Sequence, residues 1–156
     1  MKTLIMLSAI PASGKSTWAK EYQANHPHTY IISSDDIRME ICHGNYHDQS
    51  KQALVWETFE NRIHEYASLH EDVTVILDAL NDVNVVRLKY LSNTPEYDKK
   101  ILVLFPNTLE RSEYYNALRN EEVKVPDEIV KMLANKFEEP SEAVLELVDE
   151  VLTVKW

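Results

Sequence analysis

An apolar segment, Thr3-Leu4-Ile5-Met6-Leu7-Ser8, runs without a break into the loop Ala9-Ile10-Pro11-Ala12-Ser13-Gly14-Lys15-Ser16-Thr17, and helical spacing begins at Ser16. No other junction constrains the chain as much. A short run that is apolar at nearly every position suits a strand buried on both faces, and such a strand needs helices packed above and below it. Only two glycines occur in 156 residues, Gly14 and Gly44, so the one inside the loop marks a position where the backbone requires it. Strand, loop and helix in that order aim several backbone N–H groups at one point in front of a helix N-terminus, where an anion is stabilised.

The same alternation continues along the chain. Trp18, Ala19 and Tyr22 among Lys20, Glu21 and Gln23 predict a helix ending near His26-Pro27, and Thr29 to Ile32 reads as a second strand. Ser34 or Asp35 is expected to cap a short helix through Cys42; a longer helix is expected from about Gln49 to His70, with Leu54, Phe59, Ile63 and Tyr66 at helical spacing. Val73 to Leu77 is a β-branched run closed by Asp78 and followed by a helix carrying Val85, Val86, Leu88 and Leu91. Lys100 to Phe105 repeats the pattern, with a helix over roughly Leu109 to Arg119. Pro126 suits the first turn of a helix reaching Phe137, and a last helix and a short strand, Val151 to Lys155, close the sequence. The class is therefore α/β: a parallel sheet of about five strands flanked by helices, read as a single domain over 1–156, with ligands expected beyond the strand C-termini.

The loop resembles the Walker A pattern G-x-x-x-x-G-K-[ST], with alanine where the first glycine stands. Backbone groups of Ala9, Pro11, Ala12, Ser13, Gly14 and Thr17 would surround a β-phosphate, Lys15 would reach the β and γ oxygens, and the Ser16 hydroxyl would ligate Mg²⁺. A positive φ at Ala9 would cost about 1–2 kcal/mol relative to glycine. Strand two ends in Ser33-Ser34-Asp35-Asp36-Ile37-Arg38, where Asp35 can accept the proton of an attacking hydroxyl and Arg38, one turn on, can grip a phosphate. An Asp N-cap with a surface ion pair is the alternative there. Asp78, at the end of its strand, is placed to act near the metal. Asn81 and Arg87 lie just beyond; a solvated helix face is the plain reading of Arg87. Arg111 and Arg119 belong to the helix before Glu121-Glu122-Val123-Lys124-Val125, from which a cation could fold over the nucleotide.

Composition narrows the partners. Lys and Arg number 16 against 26 Asp and Glu, a formal net charge of −10, so no broad basic face is available to capture nucleic acid and any polyanion must be held locally. Apolar runs such as Ile101 to Phe105 fall far short of the ~20 residues that span a bilayer. Neither a membrane span nor a signal peptide is expected, and the lone Cys42 fits a reducing, cytoplasmic setting. His26, His28, His43 and His47 lack the companions of a recognised zinc motif and read as solvated. Trp18 and Trp56 read as core rather than as a base-stacking platform, because no basic patch interleaves with them.

Together, Ile10 to Ala19 and Ser34-Asp35-Asp36-Ile37-Arg38 resemble the polynucleotide 5′-kinase family, in particular the kinase domain of phage polynucleotide kinase within the P-loop kinases. Asp78-Ala79-Leu80-Asn81 with Arg87, Val125-Pro126 and Phe137-Glu138-Glu139-Pro140 extend the likeness over most of the chain, with Leu80 where the family shows Thr. The resemblance implies a P-loop kinase fold with a short helical lid, and ATP or another nucleoside triphosphate with Mg²⁺ as cofactors. It places the general base at Asp35 and substrate contacts at Asp35, Arg38, Asn81 and Arg87. Lys15 and Arg119 would act on the transferred phosphate, with Arg111 and Arg119 at the nucleotide and Ser16 and Asp78 at the metal. The implied acceptor is a 5′-hydroxyl end of RNA or DNA. A small-molecule hydroxyl of a nucleoside, nucleotide, sugar or antibiotic is a second reading, and a nucleotide-binding module without transfer a third. No Asp-x-Asp-x-Thr motif of the phosphatase domain carried by some relatives is present.

Overall fold

In a computed structural model that describes residues 1–45, 48–105 and 108–155, the strand ahead of the loop lies at the centre of the sheet. The elements in chain order are β1 Lys2–Ser8, α1 Lys15–Asn25, β2 Thr29–Ser33, α2 Ser34–Ile41, α3 Gln52–Ala67, β3 Val73–Asp78, α4 Asn84–Ser92, β4 Lys99–Leu104, α5 Leu109–Ala117, α6 Asp127–Lys136, α7 Glu142–Leu147 and β5 Glu150–Thr153. The five strands run β2-β3-β1-β4-β5, every neighbouring pair parallel. The expected fold class holds: a five-stranded parallel sheet flanked by helices.

The period-2 geometry of β1 divides the core. Leu4 and Met6 point into a large cluster built with Val55, Phe59 and Ile63 of α3 and Tyr90 and Leu91 of α4; Ile5 and Leu7 point into a smaller one with Ala19 of α1, Val103 and Phe105. All four β1 side chains are almost fully buried, as expected for a strand covered on both faces.

Three helices differ from the sequence expectation. The α3 stripe is Val55, Phe59, Ile63 and Ala67, leaving Leu54 at the surface, and the helix is shorter than 49–70 at both ends. The Asp48 carboxylate accepts the Ser50 N–H at 2.8 Å, a local turn that competes with helix before Gln52, and Ser68 turns its hydroxyl back to the Glu65 carbonyl at 2.7 Å. The α2 cap is Ser33, whose hydroxyl accepts the Asp36 N–H at 3.2 Å, rather than Ser34 or Asp35. On α4, Val85 is exposed and Arg87 takes the inward position. Among the described residues no helix is long and apolar enough to cross a membrane. His47 lies outside the described residues, and His26, His28 and His43 are exposed.

Candidate active site

The loop leaves β1 at the sheet centre and returns as α1. Ala9 does not adopt a positive φ; its N–H donates to the Leu80 carbonyl at 2.9 Å, tying the loop to the segment after β3. The left-handed positions are Ala12, at φ 57°, and Gly14, at φ 93°, so the strain expected at the first motif position sits three residues later. Lys15 is nearly buried, and its Nζ is 3.4 Å from Asp78 Oδ1. Ser16 Oγ donates to Asp78 Oδ2 at 2.8 Å. Strand pairing brings about this meeting, since β3 lies directly beside β1 and ends level with the loop. Thr17 is exposed one residue further on.

Two hollows meet at this point. A cleft of about 1350 Å³ runs from Pro11 and Lys15 past Asp35 and Arg38 toward α3, α4 and α6. A smaller hollow of about 480 Å³ lies on the other side and is bordered by Ser16, Asp36 and Asp78. Asp35 and Arg119 line both, so they stand on the partition. Because Ser33 caps α2, the Asp35 carboxylate is not engaged as the helix cap. Arg38, nearly buried, donates to Asp35 Oδ1 at 3.1 Å and to Gln52 Oε1 at 3.0 Å, which fixes its guanidinium from two elements. Partial desolvation, and then the nearby Asp78 charge, push the Asp36 carboxyl above the usual carboxylate range.

Helix α5 closes on the loop from the other side. The Ser112 hydroxyl donates to the Pro11 carbonyl. The Arg111 guanidinium stacks 5.7 Å from the Tyr115 ring and lies beside Gly14, where a Cβ would come within 3.8 Å of its Nη2. Asn116 is fully buried; its amide donates to the Val125 carbonyl and accepts the Val125 N–H at 2.9 Å, pinning the connector that carries Arg119.

Arg87 is placed neither on a solvated face nor in the cleft. It is fully buried, donating to Ser8 Oγ at 2.9 Å, the Asn81 carbonyl at 2.8 Å and Asn84 Oδ1 at 2.8 Å, with Phe137 5.2 Å from its guanidinium carbon. The expected substrate contact is therefore corrected to a structural one: the guanidinium joins the end of β1 to the turn at 137–140, where Asn84 donates to the Glu139 carbonyl at 3.0 Å. Asn81 does line the cleft, yet its amide nitrogen is engaged by the Leu7 carbonyl at 2.7 Å. Sequence reasoning missed Gln52, Ser112 and Asn116, whose roles depend on chain crossings, and it placed Trp56 in the core. Trp56 packs on the core with one side and lines the cleft with the other.

The family model of the AAA domain, AAA_33, matches residues 4–140. The chain belongs to this AAA domain family. This AAA domain is similar to Kti12 of Chaetomium thermophilum solved with ADP-AlF3, at 19% identity over 98% of this chain and 89% of that one, with a TM-score of 0.68. It is also similar to a chain of the Pnkp1/Rnl/Hen1 RNA repair complex, at 20% identity and a TM-score of 0.73; 86% of this chain is covered but only 43% of that one. A fungal RNA kinase matches at 16% identity over 99% of this chain and 74% of that chain, with a TM-score of 0.64. At such identities the likeness is one of fold, and the residues of this AAA domain must carry the chemistry by themselves.

Proposed function

We propose that this AAA domain transfers the γ-phosphate of ATP to the 5′-hydroxyl end of RNA or DNA, in the manner of the polynucleotide kinases it resembles. The observation that carries this reading is the position of Asp35 and Arg119 on the partition between the two hollows. A donor phosphate on the loop and an acceptor hydroxyl in the cleft would meet there. Asp35 takes the hydroxyl proton as the acceptor oxygen bonds to the γ-phosphorus; the bond from that phosphorus to the β,γ-bridging oxygen breaks, and ADP leaves with the electron pair. Lys15 and Arg119 hold the charge that spreads over the phosphoryl oxygens, Arg111 lies against the loop, and Arg38 orients the acceptor through a phosphate.

The hard oxygens of Ser16 and Asp78, already 2.8 Å apart, fit a magnesium ion, which neutralises phosphate charge when bound. Support for a polyanionic acceptor comes from the cleft itself. Six cationic side chains, Lys15, Arg38, Lys89, Arg119, Lys124 and Lys136, line it against four carboxylates, in a molecule whose net charge is −10. That overall charge is what favours the second reading, a small-molecule hydroxyl acceptor.

The test is transfer of labelled γ-phosphate from Mg-ATP to short 5′-hydroxyl RNA and DNA, with Asp35→Asn as control. Transfer that vanishes in a variant still binding ATP supports the reading. ATP binding with no transfer to either oligonucleotide overturns it in favour of the small-molecule acceptor.

A further inference from the structure

Gln52 and Trp56 stand four residues apart on α3 and therefore on one stripe of that helix, about 6 Å along its axis. Both line the large cleft. Gln52 holds Arg38 Nη2 at 3.0 Å, so the group proposed to grip the acceptor phosphate is bolted to the turn of α3 that precedes the indole. Trp56 packs against Phe59 with ring centroids 5.3 Å apart and planes inclined by 64°, and its side chain lines the cleft. Val86 and Tyr90 of α4 continue the apolar wall beside it.

From this juxtaposition we infer that Trp56 is the stacking platform for one of the two bases that flank the phosphate held by Arg38. The inference rests on the polynucleotide reading and adds to it a residue that recognises the base. One helical turn matches the short span from a backbone phosphate to a neighbouring base. An aromatic face next to a cationic phosphate contact is the combination by which proteins hold single-stranded ends without reading their sequence. The expected specificity is thus for a base of any kind over none.

The experiment is equilibrium binding, by anisotropy in the presence of ADP, of a 3′-labelled 5′-hydroxyl tetranucleotide in three forms: intact, abasic at the first residue, and abasic at the second. One abasic form should bind the unaltered protein about ten-fold more weakly than the intact form. Trp56→Leu should lower the intact form to that same level and leave that abasic form unchanged, whereas Trp56→Phe should keep most of the affinity. Equal binding of all three forms by the unaltered protein overturns the inference while leaving the polynucleotide reading in place, and needs no variant. Equal loss for intact and abasic forms in Trp56→Leu also overturns it. Failure of every form to bind removes the polynucleotide reading and this inference with it.

Discussion

Individual residues carry the sharpest consequences. Gly14 sits at φ 93°, and a Cβ there would meet only Arg111 Nη2 at an ordinary 3.8 Å, so the penalty of Gly14→Ala is conformational rather than steric. A loss of about 1–2 kcal/mol in denaturant unfolding is expected, while Ala12→Gly, at φ 57°, should gain up to about 1 kcal/mol. Arg87→Met should remove about 2–4 kcal/mol of stability, because Ser8 Oγ and Asn84 Oδ1 lose their buried donor. Its acceptor KM should stay unchanged when measured well below the melting temperature; a raised KM at full stability would restore the substrate role expected from sequence. For Asp36 the folded carboxyl binds its proton more tightly than its ordinary value of 3.8, so stability falls as pH rises through the raised value. Asp36→Asn should therefore melt slightly higher than the parent at pH 7, the gain vanishing below about pH 4. The side chain keeps much of its surface open to water, which keeps the effect small. Motif residues were legible at this scale because the loop's chemistry is local. Arg87 was not, since its partners Ser8 and Asn81 reach it only through the packing of β1 against β3.

At the scale of elements, the α5 to α6 hairpin rests on two side-chain ties. Ser112 fastens α5 to the loop, and Asn116 pairs with both polar groups of the Val125 backbone. Asn116→Leu strands a buried N–H and C=O together, and about 1–3 kcal/mol should be lost. Hydrogen exchange should accelerate from Leu118 to Val125 while β1 and β3 stay protected; uniform acceleration would mean that the hairpin is not a separate unit. The inner strands β1, β3 and β4 could be read from the sequence because strands buried on both faces appear as unbroken apolar runs, whereas β5 is an exposed edge strand without that signal. Helix limits were harder, since a single local hydrogen bond, such as that from the Ser50 N–H to Asp48, decides where α3 begins. Trp56 and Leu54 show the same limit: helical spacing says which residues share a face, and only the packed sheet says which face turns inward.

For the whole molecule, charge is divided rather than averaged. The cleft collects cations while the remaining surface bears the acidic excess, so oligonucleotide binding should weaken with salt despite the net charge of −10. Few phosphates can be met in one cleft, and the slope of log affinity on log salt should lie between about −1 and −2. A slope near zero would point to an uncharged acceptor. The composition gave only the total, which is why the sequence argued for local capture without saying where. The order of the strands has a consequence of another kind. Lys2 pairs with Val73 and Thr3 with Lys99, so the strand that presents the phosphate loop has no neighbour in the sheet until chain far downstream has been made and brought back to it. Such distant pairings are slow to close. Nucleotide affinity should thus be among the last properties to appear during refolding, after helices α1 and α3 have gained their secondary structure.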